Sequence, residues 1–295
     1  MMRRVRPAIY VSVPVPEPVG AALERDFELL EEPEGAEGIV AVPSVRVDRA
    51  LLDAAGPGLK IVANYAVGLD NVDLGAARER GVVVTNTPDV LTRATAEHAL
   101  ALLLALVRRV AEGDRMIRRG DPWRLEPTFL LGRGLAGRTL GIVGAGRIGR
   151  ELAGLAEGLG MRVVLAGRGD RLDDVLAADA VSLHCPLTEE TRHLIQEETL
   201  ARMKSDAVLV NTSRGAVVDE DALVRALRAG AIAGAALDVF EDEPAVHPGL
   251  LELENVVLTP HLGSATHEAR EAMGMLCVEA LRAVLLEGRT PAHAV

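Results

Sequence analysis

The sequence contains few cysteines. Among its 295 residues only Cys185 and Cys277 are cysteines, and they do not form a Cys-x-x-Cys pair. This scarcity excludes a disulfide scaffold and argues against a cysteine zinc site or a thioredoxin-type motif. We therefore expect no bound metal and a location in the reducing cytoplasm.

Long apolar runs and an excess of positive charge are missing as well. The longest purely apolar run, residues 99–107, is about half of the ~18 residues that a membrane-spanning helix needs. Lysine and arginine total 32 against 43 aspartates and glutamates, and the net charge of −11 opposes general binding to nucleic acid or to an anionic membrane. We expect neither partner. Residues 1–4 are basic, but Pro14, Pro16 and Pro18 interrupt the stretch that follows, so we expect no signal peptide.

Apolar runs alternate with polar or helical stretches along the chain. In the first part, strands are expected at residues 8–13, 38–42, 59–64 and 82–85, helices at 19–25 and before Gly81, and an irregular acidic stretch at 31–37. In the second part, strands are expected at 139–143, 162–166, 180–184, 207–211, 232–237 and 255–259. The length suggests about two domains, and the alternation is typical of βαβ units around a parallel sheet.

A helix and an arm are expected between the two parts. Residues 95–110 are rich in Ala and Leu, with apolar residues nearly all round, which predicts a buried helix that joins the domains. Residues 120–137, around Trp123, indicate an irregular arm. Helix and arm together carry more apolar surface than suits a monomer, so we predict a homodimer.

A glycine-rich turn follows the first strand of the second part. Gly144, Gly146 and Gly149 are spaced as Gly-x-Gly-x-x-Gly, and Arg147 and Ile148 open the helix that follows. The first glycine permits a tight turn, the second lets the backbone approach a pyrophosphate, and the third allows close packing of helix and strand. An ordinary glycine turn is the alternative. The strand-turn-helix context favours dinucleotide binding.

The end of the next strand should select between the two nicotinamide dinucleotides. An acidic side chain there binds a ribose 2′-hydroxyl, whereas an arginine accommodates a 2′-phosphate. Gly167 and Arg168 come directly after the strand, and Asp170 follows. We favour NADP(H) because of Arg168 and keep NAD(H) as the alternative, with Asp170 as its ligand. Arg168 as a solvated turn residue is the third option.

Three chargeable side chains follow three successive strands. Arg214, Glu243 and His261 each come after a buried apolar strand, at the edge where ligands collect in parallel α/β sheets. An isolated histidine is usually structural, so the partners decide its interpretation. A guanidinium binds a carboxylate in a fork, and a histidine beside a carboxylate donates a proton to a carbonyl oxygen that receives hydride. The trio therefore suits reduction of a 2-oxo acid.

Several further motifs carry a resemblance to a known family. They are residues 62–68, 84–92, the turn at 144–149, and residues 211–215, 238–244 and 259–264. On these residues the chain resembles the D-isomer-specific 2-hydroxyacid dehydrogenases over nearly its whole length. Within them it looks most like the glyoxylate/hydroxypyruvate reductases.

The resemblance implies a role for each site residue. Arg214 would bind the substrate carboxylate, Glu243 would support His261, and the backbone amides of Val67 and Gly68 would also hold the carboxylate. Residues implied to bind the cofactor are Gly144, Gly146, Arg147, Ile148, Gly149, Arg168, Cys185, Pro186, Thr212, Asp238, His261 and Gly263. Asp238 would meet the nicotinamide amide, although an aspartate there also caps a strand end. Cys185 could equally be a small buried apolar residue.

We predict an α/β protein with a doubly wound parallel sheet of the Rossmann type and a smaller flavodoxin-like α/β domain. The resemblance implies a discontinuous substrate domain, residues 1–92 and 267–295. It implies a dinucleotide-binding domain at 93–266, with a dimerisation helix and arm at 93–137.

The expected activity is hydride transfer from NAD(P)H to a small 2-oxo acid, glyoxylate or hydroxypyruvate, which gives the D-2-hydroxy acid. A catalytically silent dinucleotide-binding regulatory module on the same fold is one alternative. The same chemistry on another substrate, such as 3-phosphoglycerate, is the other.

Overall fold

Two compact units make up the structure. The computed structural model describes residues 6–295, so the basic start of the chain lies outside the described residues. One unit comprises the described residues up to Leu91 together with Ala265–Val295, and the other comprises Thr92–Ser264. Each unit contains its own parallel sheet, and the predicted α/β class is confirmed.

The first unit has five parallel strands in the order β2-β1-β3-β4-β5, which is the flavodoxin-like order. The strands are β1 (Ala8–Val11), β2 (Glu28–Leu30), β3 (Gly38–Ala41), β4 (Ile61–Asn64) and β5 (Val83–Thr85), and the helices are α1 (Glu17–Asp26), α2 (Arg49–Ala55) and α3 (Leu74–Glu79). Strands β3 and β4 are buried throughout, as apolar runs covered on both faces should be. Neither β2 nor α2 was expected from the sequence.

The second unit has six parallel strands in the order β11-β10-β9-β8-β6-β7. They are β6 (Thr139–Val143), β7 (Arg162–Ala166), β8 (Ala180–Leu183), β9 (Val208–Asn211), β10 (Gly234–Leu237) and β11 (Val256–Leu258). All six predicted strands are confirmed, with ends that differ by at most two residues. The strand order reverses between β6 and β8, where doubly wound sheets bind their ligands.

The second unit begins with two helices where the sequence predicted one. Helix α4 spans Thr92–Val107 and α5 spans Val110–Arg119, so the predicted helix at 95–110 is wrong at both ends. Arg109 separates them with a left-handed backbone, φ 54°. Within this chain one face of α4 is fully buried, at Thr95, Ala96, Ala99, Leu102 and Leu103.

Helix α5 buries none of its residues in this chain, although it is strongly amphipathic. Val110 and Ile117 are exposed, and so are Trp123, Leu125 and Leu131 in the stretch that follows. Residues 121–137 contain neither helix nor strand, in agreement with the irregular arm that the sequence predicts at residues 120–137.

Five helices connect the strands of the second unit: α6 (Arg147–Gly158), α7 (Asp173–Leu176), α8 (Glu197–Leu200), α9 (Glu220–Arg228) and α10 (Pro248–Leu251). The chain then returns to the first unit with α11 (His267–Leu285), which Thr266 caps by accepting the Ala269 N–H. Helix α11 packs on β3 and β4. Within residues 6–295 no helix has both the length and the apolar character to cross a membrane.

Candidate active site

Three neighbouring strands end at the same level of the second sheet. Asn211, the last residue of β9, pairs with Leu237, the last residue of β10, and Leu237 pairs with Leu258, the last residue of β11. Since all three strands are parallel, the loops that follow them start side by side. Arg214, Glu243 and His261 lie on these three loops.

The structure brings His261 and Glu243 into contact. His261 Nδ1 lies 2.8 Å from Glu243 Oε2, and the two side chains are 37% and 35% exposed. The other carboxylate oxygen, Glu243 Oε1, accepts the Phe240 N–H at 3.0 Å. The carboxylate is thus tied to the backbone on one side and orients the imidazole on the other, which leaves Nε2 of the ring for another group.

A buried asparagine fixes the turn that carries Arg214. Asn211 is fully buried, its Nδ2 donates to the Arg214 carbonyl at 2.9 Å, and its Oδ1 accepts the Ser213 N–H at 3.0 Å and the Ser213 hydroxyl at 2.8 Å. The guanidinium itself donates to the Ser213 carbonyl from Nη1 at 2.7 Å. The backbone under Arg214 is therefore held rigidly at the end of β9.

The loops of Arg214 and Glu243 meet backbone against backbone at Gly215. A Cβ at this position would lie 1.8 Å from the carbonyl carbon of Phe240 and 1.9 Å from its oxygen. No side chain fits such a distance, so glycine is required here by close approach rather than by its φ angle. The arrangement of Glu243 thus depends on the turn after β9.

Two side chains hold the far side of the Glu243 loop. Glu220, which is 6% exposed, accepts the Glu241 N–H at 2.9 Å, and His193 Nε2 lies 2.6 Å from Glu241 Oε1. Burial raises the pKa of Glu220, although the hydrogen bond from Glu241 opposes the shift. Neither residue was singled out from the sequence.

A buried carboxylate anchors the loop of His261. Asp238 is 1% exposed, and it accepts the N–H groups of Leu262 and Gly263, both at 2.7 Å, and the Thr259 hydroxyl at 2.6 Å. His261 has a left-handed backbone, φ 54°, a conformation that residues other than glycine seldom adopt. The position of His261 is thus set by contacts of its neighbours with Asp238.

His98 is a further member of this network that sequence reasoning missed. Its Nε2 lies 3.1 Å from Asp238 Oδ1 and 3.1 Å from Thr259 Oγ1. Burial by itself raises the pKa of Asp238, but hydrogen bonds from His98, Thr259 and the Leu262 N–H outweigh it, and the pKa lies below its usual value. Helical spacing could have placed His98 on the buried face of α4, but no sequence signal names its partners.

The glycine-rich turn fits a dinucleotide. Gly144 has φ 104°, and a Cβ there would lie 2.5 Å from the His184 carbonyl carbon, while one at Gly149 would lie 2.2 Å from the Gly144 oxygen. A Cβ at Gly146 would instead project into open space. Helix α6 begins directly after Gly146, and the N-terminus of a helix that follows such a turn is where a phosphate binds.

Thr212 and Cys185 also lie at strand ends of this unit. Among residues 6–295, Thr212 Oγ1 is one of four buried side-chain polar atoms without a hydrogen-bond partner. A buried hydroxyl in this state calls for a hydrogen-bond partner from outside the chain, either a water molecule or a bound group. Burial raises the pKa of Cys185 to about 11, so its thiol stays neutral beside Pro186.

The loop after β7 contains both candidates for the ribose end. Arg168 is exposed. The pKa of Glu190 is lowered chiefly by a hydrogen bond from the Thr188 side chain, and the positive charge of Arg168 adds to this shift. Asp170 turns back on the strand end, where its Oδ2 accepts the Gly167 N–H at 2.7 Å. Both residues thus follow β7 closely in the chain, and Asp170 contacts the strand end.

Val67 and Gly68 lie in the first unit, on the loop after β4. Asn86 Nδ2 donates to the Val67 carbonyl at 2.9 Å, and Asn64 Nδ2 donates to the Gly68 carbonyl at 2.8 Å. The first contact fixes the peptide group that carries the Gly68 N–H, and the second fixes the one that carries the Leu69 N–H. The Ala66 carbonyl accepts the Thr87 N–H at 2.9 Å, which fixes the peptide group that carries the Val67 N–H. Within residues 6–295, no group of three or more His, Cys, Asp or Glu side chains is arranged to hold a metal ion.

Comparison with known proteins places these features in a family. Residues 100–263 match the family model described as "D-isomer specific 2-hydroxyacid dehydrogenase, NAD binding domain". A glyoxylate reductase of Thermococcus litoralis is 44% identical and covers 99% of this chain and 97% of its own length. A glyoxylate reductase of Pyrococcus furiosus is 46% identical over 92% of this chain and 90% of its own length.

Solved structures agree with the sequence matches. The crystal structure of the TT0316 protein from Thermus thermophilus has a TM-score of 0.91 and 46% identity, covering 98% of this chain and 99% of that one. The NADPH-dependent glyoxylate/hydroxypyruvate reductase of Sinorhizobium meliloti, solved with NADP and malonate, has a TM-score of 0.86 and 36% identity over 98% of this chain and 97% of its own. The second unit therefore binds a nicotinamide dinucleotide.

The lowered pKa of Asp238 predicts a specific dependence of stability on pH. A carboxyl whose pKa is lower in the folded than in the unfolded state stabilises the fold above its unfolded pKa of about 3.9, and this contribution is lost as the pH falls through the folded value. Asp238→Asn should therefore lower the free energy of unfolding at pH 7, and its deficit relative to the native chain should shrink at acidic pH.

Urea unfolding of both proteins at a series of pH values measures the deficit. Asp174→Asn, at an exposed position of the same unit, provides the background. A deficit for Asp238→Asn that stays constant from neutral to acidic pH would contradict the assignment.

Proposed function

This chain belongs to the D-isomer-specific 2-hydroxyacid dehydrogenase family, and from that premise we propose that it reduces a small 2-oxo acid, glyoxylate or hydroxypyruvate, to the D-2-hydroxy acid. The resemblance read from its motifs is confirmed, and the protein is an oxidoreductase. The cytoplasm is its proposed location, because Cys185 and Cys277 are free thiols of the kind that a reducing compartment maintains.

The observation that carries the proposal is the 2.8 Å contact between His261 and Glu243, next to the loop of Arg214. In the proposed mechanism the Arg214 guanidinium binds the substrate carboxylate and orients the 2-oxo group. His261 Nε2 donates a proton to the carbonyl oxygen as negative charge develops there. Glu243 holds the ring through Nδ1 and offsets the positive charge on it.

The cofactor, when bound, supplies the hydride that reduces the carbonyl carbon. We propose that the turn of Gly144, Gly146 and Gly149 and the first amides of α6, at Arg147 and Ile148, hold its pyrophosphate. Further proposed contacts are with Cys185, Pro186, Thr212, His261 and Gly263. Asp238 Oδ2 receives one N–H in the structure, from Gly263, so it retains a lone pair for the nicotinamide amide.

The N–H groups of Val67 and Gly68 are proposed as ligands of the substrate carboxylate. The peptide groups that carry these two N–H groups are held at their carbonyl oxygens: the Ala66 carbonyl accepts the Thr87 N–H at 2.9 Å, and the Val67 carbonyl accepts from Asn86. These contacts support amides that point in a fixed direction. Asn86→Ala should therefore raise KM for the 2-oxo acid more than it changes kcat, because it releases the peptide group that carries the Gly68 N–H.

The activity is tested by following oxidation of NADPH and NADH with glyoxylate and with hydroxypyruvate. His261→Ala should lower kcat by about 10²–10⁴, because the proton donor is removed, while the cofactor still binds through the glycine-rich turn. Arg214→Lys should lower kcat/KM, since an ammonium cannot replace the fork. The exposed His267→Ala serves as the control and should retain native turnover.

A near-native kcat in His261→Ala would refute its role as proton donor. If no substrate supports oxidation of either cofactor while both cofactors still bind, the protein is instead a silent dinucleotide-binding module.

We further propose a preference for NADPH, supported by the exposed Arg168 directly after β7 and Gly167. A guanidinium there attracts a 2′-phosphate. The Asp170 carboxylate, which lies against Gly167, opposes it and would accept a ribose 2′-hydroxyl. Arg168→Ala should reduce kcat/KM for NADPH relative to NADH, and Asp170→Asn should shift the ratio the other way. A native enzyme that favours NADH, or a ratio unchanged in Arg168→Ala, would overturn the preference.

A homodimer is proposed from the unburied apolar surface of α5 and the arm. Trp123, Leu125 and Leu131 are 58%, 96% and 63% exposed, and this surface requires a cover in water. Light scattering should give about twice the 31.2 kDa of one chain. Leu125→Glu should shift the mass towards one chain, whereas Leu251→Glu, at an exposed position on α10, should not. A native mass of one chain at micromolar concentration would refute the dimer.

A further inference from the structure

We propose that His98 is a positioning residue for His261, which acts through the side chains of Asp238 and Thr259. The proposal rests on the proposed function, because it assigns to His98 an effect on the group that donates the proton. His98 belongs to α4, outside the three loops that carry Arg214, Glu243 and His261. It therefore links the first helix of the unit to the end of β11.

The hydrogen-bond pattern determines which atom of His98 carries a hydrogen. Thr259 Oγ1 donates to Asp238 Oδ1 at 2.6 Å, so both of these oxygens present lone pairs to the ring nitrogen between them. His98 Nε2 is 3.1 Å from each. A contact with two acceptors is favourable only if Nε2 carries a hydrogen, which it then shares between them. His98 is thus a donor to a pair of acceptors that are themselves bonded.

Both acceptors belong to the support of His261. Thr259 lies two residues before His261. Asp238 accepts the N–H groups of Leu262 and Gly263, the two residues directly after His261. The His261 N–H in turn donates to the backbone carbonyl of Asp238 at 2.8 Å. The segment 259–263 is therefore tied to one buried carboxylate on both sides of the functional histidine.

The backbone of His261 needs this support. At φ 54° a histidine is held in the left-handed region, which the chain leaves unless surrounding contacts maintain it. Without the His98 donor, Asp238 Oδ1 loses a neighbour that fixes its rotamer. The Leu262 and Gly263 amides and Thr259 would then adjust together, and the alignment of His261 Nδ1 with Glu243 would be lost. Displacements of this kind slow a positioned reaction severely.

Three variants separate donation by His98 from simple filling of space. His98→Leu removes the N–H donor and fills the space with an apolar side chain of moderate size. His98→Gln restores an N–H, since its Nε2 lies as many bonds from Cα as that of histidine. His247→Leu is the matched control, because it removes another contact of a histidine with an aspartate, Asp221 at 3.0 Å, in the same unit.

Hydrogen–deuterium exchange of the full-length protein tests the proposal without reference to activity. Peptides that contain Leu262 and Gly263 should exchange faster in His98→Leu and at the native rate in His98→Gln and His247→Leu. Peptides of β10 should be unchanged in all three. Native exchange in His98→Leu, or equally fast exchange in the Leu and Gln variants, would overturn the proposal.

Kinetics with the best 2-oxo acid supply the second measurement. His98→Leu should lower kcat and kcat/KM together by about tenfold or more, with KM little changed, because the loss concerns the transition state. His98→Gln should recover most of kcat. A kcat for His98→Leu within about twofold of the native value, or an effect on KM alone, would overturn the proposal.

Two outcomes are kept separate by this design. If the native chain reduces no 2-oxo acid, the proposed function fails, while the exchange experiment still decides whether His98 holds the loop. If His98→Leu does not fold, His98→Asn takes its place, because the shorter amide does not reach Asp238 and should give the same faster exchange.

Discussion

The level at which β9, β10 and β11 end governs the whole candidate site. These strands are parallel neighbours whose last residues, Asn211, Leu237 and Leu258, pair with one another. A shift of one residue in either pairing would point the side chains of that strand to the opposite faces of the sheet. The register is fixed by strands that are buried almost throughout. The apolar core therefore determines where the polar side chains can meet.

Each of the three loops is then held by a buried polar side chain. Asn211 holds the turn of Arg214, Asp238 holds the segment around His261, and Glu220 holds Glu241 in the loop of Glu243. Such groups are tolerated in a core only when hydrogen bonds satisfy them. Because these hydrogen bonds are directional, they fix the loops more narrowly than apolar contacts would. Rigid support of this kind suits a site whose reacting groups must be placed within a fraction of an ångström.

The sequence allowed most of the fold to be predicted, and the exceptions have physical reasons. Continuous apolar runs such as β7 were found with correct ends, whereas β2, a three-residue edge strand, shows no alternation. Helix α2 did have a signal, because Asp48 precedes it and caps it by accepting the Leu51 N–H. The break between α4 and α5 at Arg109 is marked by neither glycine nor proline.

The residues of the candidate site likewise fall into those that the sequence predicted and those that it did not. Arg214, Glu243 and His261 could be identified because each follows a recognisable strand, and that placement depends on local sequence. The contacts of His98 and Glu220 join segments more than a hundred and about twenty residues apart, respectively, and no local pattern records them.

The contact of Gly215 with Phe240 also limits how this protein could be redesigned. Remodelling the turn after β9 is an obvious way to admit a bulkier acid beside Arg214. Any backbone shift there pushes against Phe240, whose N–H holds the Glu243 carboxylate, and so disturbs the acid–base pair at the same time. Substrate range and turnover are mechanically coupled at that point. Directed evolution would therefore find broader acceptance more readily through substitutions that leave the main chain around Gly215 in place.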